Sequence, residues 1–234
     1  EGTTSANPLK ESFGNRYNLK FVLLALFGAT MGQGVVWYTG QFYAMSFMKT
    51  VMNVDSSQVD ELLGIALLIG TPFFIAFGWL SDKVGRKYIM MFGMLIAIVS
   101  YRPIYKIMYN TTDINQKTEI AEKPKETIEN KDNGSSVTTI QKKYTDGTTV
   151  LEKKTYIENK DTQSSISVTI NSSDKWTLIF LVFIQVLFVT MVYGPIAAFL
   201  VEMFPTKIRY TSMSLPYHVG NGIFGGLLPA ISTY

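Results

Sequence analysis

The sequence predicts an all-α membrane protein with five transmembrane helices and one polar insert that is partly β or disordered. Hydrophobic residues make up 47% of the 234-residue chain. They are concentrated in long runs that contain almost no charge, whereas polar and charged residues dominate 109–175. A soluble domain of this size would instead alternate apolar and polar residues along each helix or strand.

The apolar runs have the length that a bilayer requires. A helix rises about 1.5 Å per residue, so about 20 apolar residues cross a hydrocarbon core of about 30 Å. The chain therefore divides into a lead-in (1–19), three spans (20–108), the insert (109–175) and two spans (176–234), and we expect it to be a fragment whose last span is truncated. The predicted spans cover about 20–48, 60–81, 88–108, 176–203 and 211–234.

Basic residues in the short flanks predict the orientation, because cytoplasmic loops carry an excess of Lys and Arg. The flanks on one side carry eight basic residues, whereas those on the other side carry only Lys49. We therefore expect a multi-pass protein of the plasma or inner membrane, with residue 1 in the cytoplasm and the insert outside. The eight residues are Lys10, Arg16, Lys20, Lys83, Arg86, Lys87, Lys207 and Arg209.

The insert contains signals for β structure. In "YTDGTTV" an Asp-Gly pair lies between Thr-rich flanks, which is typical of a two-residue hairpin turn. We expect one hairpin near 138–157 and a third strand in "SSISVTI". A disordered, lysine-rich segment is the alternative, and the sequence leaves both open.

A polar decapeptide, "GWLSDKVGRK", joins the second and third spans. Glycine permits a tight turn, an aspartate can meet the positive end of a helix, and an arginine presents a forked, permanent cation. A basic cytoplasmic loop would not by itself require the aspartate, or a glycine before the arginine. The defined positions are Gly78, Asp82, Lys83, Gly85, Arg86 and Lys87.

This pattern resembles the signature loop of the major facilitator superfamily. A second stretch, "VEMFPTKIRYTSMSL", is similar to the superfamily's Glu-x-x-Pro-x-x-x-Arg loop, with Glu202, Pro205 and Arg209. The flanking spans look like the metabolite:proton symporter branch, and the likeness covers everything except the insert. The resemblance implies helices seven to eleven of a twelve-helix carrier, in its C-terminal half.

The resemblance also implies a function. Such carriers are secondary active transporters, which would move a small metabolite such as a carboxylate, proline or betaine with protons by alternating access. The two loops would form a conformational latch. We expect Arg86 to contact Glu202, Arg209 to lie close to the same acid, and Asp82 to point toward the absent half and look unpaired.

Polar residues inside the apolar spans are candidates for the substrate pathway, because they are costly there unless they face a cavity or a partner. Helix–helix hydrogen bonding and interfacial aromatic residues are the alternative explanation. The candidates are Gln33, Trp37, Tyr38, Gln41, Gln185, Tyr193, Tyr217, His218 and Asn221. Among the titratable residues at depth, only His218 changes charge near neutral pH.

Several classes of function are not predicted. The net charge of +3 gives no argument for nucleic acid, and no metal cluster, nucleophile–base arrangement or phosphate loop suggests an enzyme or a cofactor. The expected partners are a small-molecule substrate, protons, the bilayer and the missing N-terminal half. The competing hypothesis is a membrane receptor or scaffold that binds a partner through 109–175.

Overall fold

Long helices follow the apolar runs of the sequence. The computed structural model describes residues 6–121, 125–130, 136–157, 160–227 and 230–231. Four of its helices, α2 to α5, are long and apolar enough to cross a membrane. The helices are α1 (Pro8–Gly14), α2 (Arg16–Thr50), α3 (Ser56–Val84), α4 (Arg86–Thr112), α5 (Ser172–Met203) and α6 (Arg209–Val219).

The fifth predicted span is described only in part. Helix α6 begins at Arg209, two residues before the predicted start, and continues as a π-helical segment, Gly220–Gly225. Residues 228–229 and 232–234 of that span lie outside the described residues. Four membrane-length helices are therefore confirmed, but the count of five is not.

The described part of the insert forms an antiparallel sheet with the strand order β1-β2-β3-β4. The predicted hairpin corresponds to β2 and β3, the predicted third strand to β4, and β1 was not predicted. The strands are β1 (Lys125–Asn130), β2 (Ser136–Lys143), β3 (Thr149–Ile157) and β4 (Lys160–Thr169). The β alternative is therefore confirmed for the part of the insert that the structure describes.

The turn between β2 and β3 is longer than predicted. The amide of Tyr144 donates to the carbonyl oxygen of Thr148 at 2.9 Å, which leaves three residues, not two, in the loop. Gly147 closes the loop with a φ of +89°, a conformation that favours glycine. The two-residue prediction was wrong because Gly147 adopts the left-handed position that follows the turn in a three-residue hairpin loop.

The chain divides into two compact units, one made of 1–44, 66–103 and 182–234 and the other of 45–65 and 104–181. In the first unit, α2, α4 and α5 share a buried core that continues to Phe204, just beyond the end of α5. Its buried members are Val22, Ala25, Ala29, Met90, Ile196, Leu200 and Phe204. Helix α6 joins α2 because the hydroxyl of Thr30 donates to the carbonyl oxygen of Pro216 at 2.9 Å.

In the second unit, the sheet is anchored to the linker between α2 and α3. The amide of Val168 donates to the carbonyl oxygen of Asn53 at 2.8 Å. The side-chain amide of Gln58 donates to the carbonyl oxygen of Ile170 at 3.2 Å and accepts from its amide at 2.8 Å. These bonds satisfy the backbone where β4 ends, so the insert has a fixed attachment to the helix ends of its own unit.

A charged cluster supports the same end of the sheet, where the β2–β3 turn adjoins the end of β4. The ammonium group of Lys117 lies 2.6 Å from an Asp146 carboxylate oxygen and 2.5 Å from one of Asp174. The Lys117 side chain is only 10% exposed, so both carboxylates are needed to compensate its charge. Asn171 completes the cluster by capping α5, since its side chain accepts from the amide of Asp174 at 2.9 Å.

The cluster perturbs the ionisation of its members. Partial burial opposes the charged form of Asp146, but hydrogen bonds from Lys117 and Thr148 outweigh that effect and lower the pKa of Asp146 to about 2. Burial likewise opposes the charge on Lys117, and its bonds to Asp146 and Asp174 outweigh it and raise the Lys117 pKa. Because the folded-state pKa of Asp146 is depressed, its contribution is complete above about pH 4 and is lost as the pH falls through about 2.

Replacing Asp146 with Asn should lower the free energy of unfolding at pH 7 by about 1–2 kcal/mol, after allowance for solvent screening. The difference from the wild type should shrink below about pH 4 and vanish near pH 2. Thermal unfolding at both pH values measures it, with the exposed substitution Glu126→Gln as a control. A deficit of equal size at pH 7 and pH 2 would exclude the electrostatic origin.

Candidate functional site

The decapeptide forms a one-residue turn between two long helices. Helix α3 ends at Val84, α4 begins at Arg86, and Gly85 between them has a φ of +106°. The amide of Gly85 donates to the carbonyl oxygen of Ser81 at 2.9 Å. A side chain at position 85 would be strained by this φ and would crowd the ring of Tyr88 at 3.1 Å.

Arg86 joins the ends of three helices. Its Nε and Nη2 atoms donate to one carboxylate oxygen of Asp82, on α3, at 3.2 and 2.9 Å. Its Nη1 atom pairs with the carboxylate of Glu202, near the end of α5. The predicted contact with Glu202 is present, but the expectation that Asp82 would look unpaired was wrong. Residues 82 and 86 lie on different helices, and the turn at Gly85 brings their side chains within hydrogen-bonding reach of each other.

The two ion pairs are partly solvated in this chain. The Arg86 side chain is 22% exposed, whereas those of Asp82 and Glu202 are 60% and 63% exposed. Pairs of this kind contribute about 0–1 kcal/mol each. The two ion pairs therefore orient the helix ends, and separating these ends costs little free energy.

The remaining loop residues have separate contacts. The ammonium group of Lys83 lies 3.9 Å from the centre of the Trp79 ring, and Lys87 lines an apolar groove. Pro205 follows the end of α5. Arg209 donates to the carbonyl oxygen of Phe204 at 3.2 Å. The described residues show no ion pair between Arg209 and Glu202, and the expected proximity of Arg209 to that acid stays a prediction.

Gly78 lies opposite Gly194 of α5. A Cβ atom added at Gly194 would lie 3.1 Å from the carbonyl oxygen of Phe74 and 3.4 Å from the amide nitrogen of Gly78, whereas a Cβ atom added at Gly78 would meet no atom within 4 Å. Gly194 therefore lets α3 and α5 approach closely, and the close approach does not depend on Gly78 being a glycine.

Four aromatic residues from four helices form a cluster. The rings of Trp37 (α2) and Tyr193 (α5) are 4.6 Å apart, and Phe74 (α3) lies 6.5 Å from Trp37 and 6.0 Å from Tyr193. The hydroxyl groups of Tyr193 and Tyr217 (α6) are 2.8 Å apart. Three of these residues were predicted as pathway candidates. Phe74 was missed, because an apolar residue gives no contrast within an apolar span.

The other candidates are distributed around this cluster. Tyr38 stacks on Phe42 at 5.1 Å, and the side-chain amide of Asn221 donates to the carbonyl oxygen of Tyr217 at 3.0 Å. His218 is exposed and its ring contacts Tyr217 at 5.8 Å. Gln41 and Gln185 are buried within the unit.

Gln33 differs from the other candidates. Its side chain is only 1% exposed, and neither its amide nitrogen nor its carbonyl oxygen has a hydrogen-bond partner among the described residues. An unpaired buried amide costs about 1–3 kcal/mol. Such a residue is therefore a better candidate for a functional group than for a structural one.

Three curated transporters are similar to this chain. A citrate-proton symporter of Salmonella typhi is 23% identical over 194 residues, which is 82% of this chain and 30% of that protein. Two others carry provisional names. A metabolite transport protein of Haemophilus influenzae is 37% identical over 67 residues (29% of this chain, 15% of that protein), and a proline/betaine transporter of Staphylococcus haemolyticus is 27% identical over 90 residues (37% and 19%).

These relatives confirm the resemblance to metabolite transporters and are consistent with the metabolite:proton symporter branch of the major facilitator superfamily. The chain is thus a membrane protein similar to transporters, and it spans less than a third of the length of each relative. No protein-family model matches the chain. No solved structure matches it either.

Replacing Gln33 with Leu should raise the stability of the protein by about 1 kcal/mol, because it removes an unpaired buried amide. The same substitution at Gln58, whose amide makes two backbone bonds, should lower stability by about 1–3 kcal/mol. Thermal unfolding in one detergent compares the two variants. Equal destabilisation by both would mean that Gln33 is paired in the folded protein.

Proposed function

We propose that this chain is the C-terminal half of a secondary active transporter that moves a small metabolite with protons across the plasma or inner membrane. Residue 1 lies in the cytoplasm and the insert outside, as the basic flanks indicate. The substrate is a carboxylate, proline or betaine, the classes that the names of two relatives include. Support comes from those relatives and from the four membrane-length helices.

The observation that carries this proposal is the position of Arg86 between Asp82 and Glu202. In alternating access, two helical bundles rock around a central site, so the cytoplasmic ends of the helices must close and separate in every cycle. The Coulomb attraction within an ion pair worth about 0–1 kcal/mol in water increases once a second bundle excludes water from it, and the desolvation of the charges offsets part of this gain. The latch residues therefore stabilise one closed state without preventing its opening.

The aromatic cluster is the substrate surface that this half contributes. The runs 21–48, 62–81 and 176–201 contain no charged residue, and within them Trp37, Phe74 and Tyr193 present aromatic faces to one another. Aromatic faces pack against the substrate and attract cationic groups. The paired hydroxyls of Tyr193 and Tyr217 supply hydrogen bonds.

Proton coupling requires a titratable group in the pathway. The imidazole of His218, which is exposed and lies beside Tyr217, is the candidate proton carrier in the described part of this half. A coupling carboxylate, if the carrier uses one, belongs to the other half.

A receptor or scaffold that binds through 109–175 is not favoured, because the curated relatives are transporters. The sheet is also anchored to helix ends of its own unit, through Gln58 and the Asn53 carbonyl.

Uptake into proteoliposomes by the complete carrier tests the proposal. We expect saturable accumulation of citrate, proline or glycine betaine that an inward proton gradient accelerates and a protonophore abolishes. Absence of uptake for all three classes, by protein that is folded and correctly inserted, would contradict it. Uptake at a rate that does not depend on the proton gradient would contradict proton coupling but not transport.

Substituting Trp37 with Leu should raise the KM for the transported substrate by about three- to thirtyfold, because stacking and cation–π contacts are worth about 0.5–2 kcal/mol. Trp37→Phe should preserve most of the affinity. The exposed Trp176 provides the matched control, since Trp176→Leu should leave KM unchanged. If the Leu variants at both positions behave alike, the cluster does not contact the substrate.

A further inference from the structure

The first unit contains an apolar groove whose lining residues do not belong to the aromatic cluster. It has a volume of about 240 Å³ and is lined by α2, α4 and α5. Its walls are mainly thioether and aliphatic groups, which adapt easily to a flexible apolar ligand. The residues that line the groove include Leu24, Gly28, Met90, Met91, Met94 and Met203.

The groove continues into an exposed stripe of α2. Leu24 belongs to both, and Leu23 and Phe27 extend the stripe with exposed side chains. The same stripe begins with Arg16 and Lys20. One continuous apolar surface is thus bordered by cations at one end.

The cations lie at the same end of both helices. A Cβ atom at Gly32 would lie 2.6 Å from the sulfur of Met94, and the Tyr101 hydroxyl donates to the carbonyl oxygen of Val36 at 3.0 Å, so α2 and α4 run in the same direction. Lys87 lies roughly 10 Å along the axis before Met94, and Lys20 roughly 18 Å before Gly32, at about 1.5 Å per residue. Both ammonium groups therefore lie on the same side of the groove.

These positions correspond to a membrane interface. Half of a hydrocarbon core is about 15 Å thick, and the two cations lie roughly 10 and 18 Å from the Met94 level, on either side of that value. The end of the helices that carries these cations also carries three aromatic residues, Trp79 and the exposed Tyr17 and Tyr88. The ammonium group of Lys83 lies over the Trp79 ring. Tryptophan and tyrosine are enriched at the level of lipid headgroups.

The charge at this end is uncompensated. Arg16, Lys20 and Lys87 make no ion pair or side-chain hydrogen bond in the part of the chain that the structure describes. The neighbouring Arg86, by contrast, is neutralised by two carboxylates. A ligand that matches this surface has an anionic group at one end and a long apolar chain.

We propose that this surface binds an anionic phospholipid, with its phosphate against Lys20 and Lys87 and one acyl chain in the groove beside Gly28. Arg16 adds a third cation at the interface. Gly28 forms the floor of the groove, because no atom lies within 4 Å of a Cβ added there. The site requires only the helices of this chain.

The protein is placed in nanodiscs of equal parts phosphatidylglycerol and phosphatidylcholine with identical acyl chains, and the lipids retained after mild extraction are counted by native mass spectrometry. We expect phosphatidylglycerol to be retained preferentially. Each of Lys20→Gln and Lys87→Gln should reduce that preference about fivefold, and the double variant should show little preference. Lys83→Gln, at the same level but outside the groove, should retain it.

A second variant tests the acyl chain. Gly28→Leu fills the groove and should reduce retention of both lipids about tenfold, whereas Gly64→Leu, at another helical glycine with open space, should not. Equal retention of both lipids by the wild type, or a preference that survives in the double lysine variant, would overturn the proposal. Displacement of the retained phosphatidylglycerol by glycerol 3-phosphate would also overturn it, because it would indicate a site for a free phosphate. Unchanged lipid retention in Gly28→Leu would overturn it too, because it would indicate that protein occupies the groove.

Discussion

The guanidinium group of Arg86, shared between Asp82 and Glu202, is the interaction that connects the ends of α3, α4 and α5. Gly85 makes it possible, because its positive φ allows one helix to end and the next to begin within a single residue. A longer or more flexible turn would leave the position of Arg86 undefined. The two ion pairs can be separated at a low cost in free energy because solvent still reaches both carboxylates.

The latch residues and the aromatic cluster share their supporting helices. Tyr193 and Glu202 both belong to α5, and Phe74 and Asp82 both belong to α3. The close approach at Gly194 and Gly78 lies between the two sites on these helices. Helices packed this closely move together, so displacement of the helix ends near Arg86 also displaces the aromatic rings.

The helices could be predicted from the sequence because apolar length leaves few alternatives, whereas the Arg86–Glu202 contact was predicted from the resemblance of the two loops to those of the major facilitator superfamily. The pairing of Asp82 could not be predicted, since it depends on the angle at Gly85 and not on residue type. Phe74 gave no signal within an apolar span, and the three-residue loop at Gly147 depends on hydrogen bonds that involve distant residues, Lys117 and Asn171. Pattern thus predicts which segments form helices, whereas the partner of each side chain depends on how those helices pack.

Charge reversal at the latch tests the central claim most directly. In the complete carrier, Arg86→Glu places a third carboxylate beside Asp82 and Glu202, and Glu202→Arg places two guanidinium groups together; each should reduce uptake strongly. The double variant restores opposite charges across α4 and α5, and Arg at position 202 also faces Asp82. We expect its uptake to exceed that of both single variants by at least about fivefold. A double variant no more active than the poorer single variant would contradict the account.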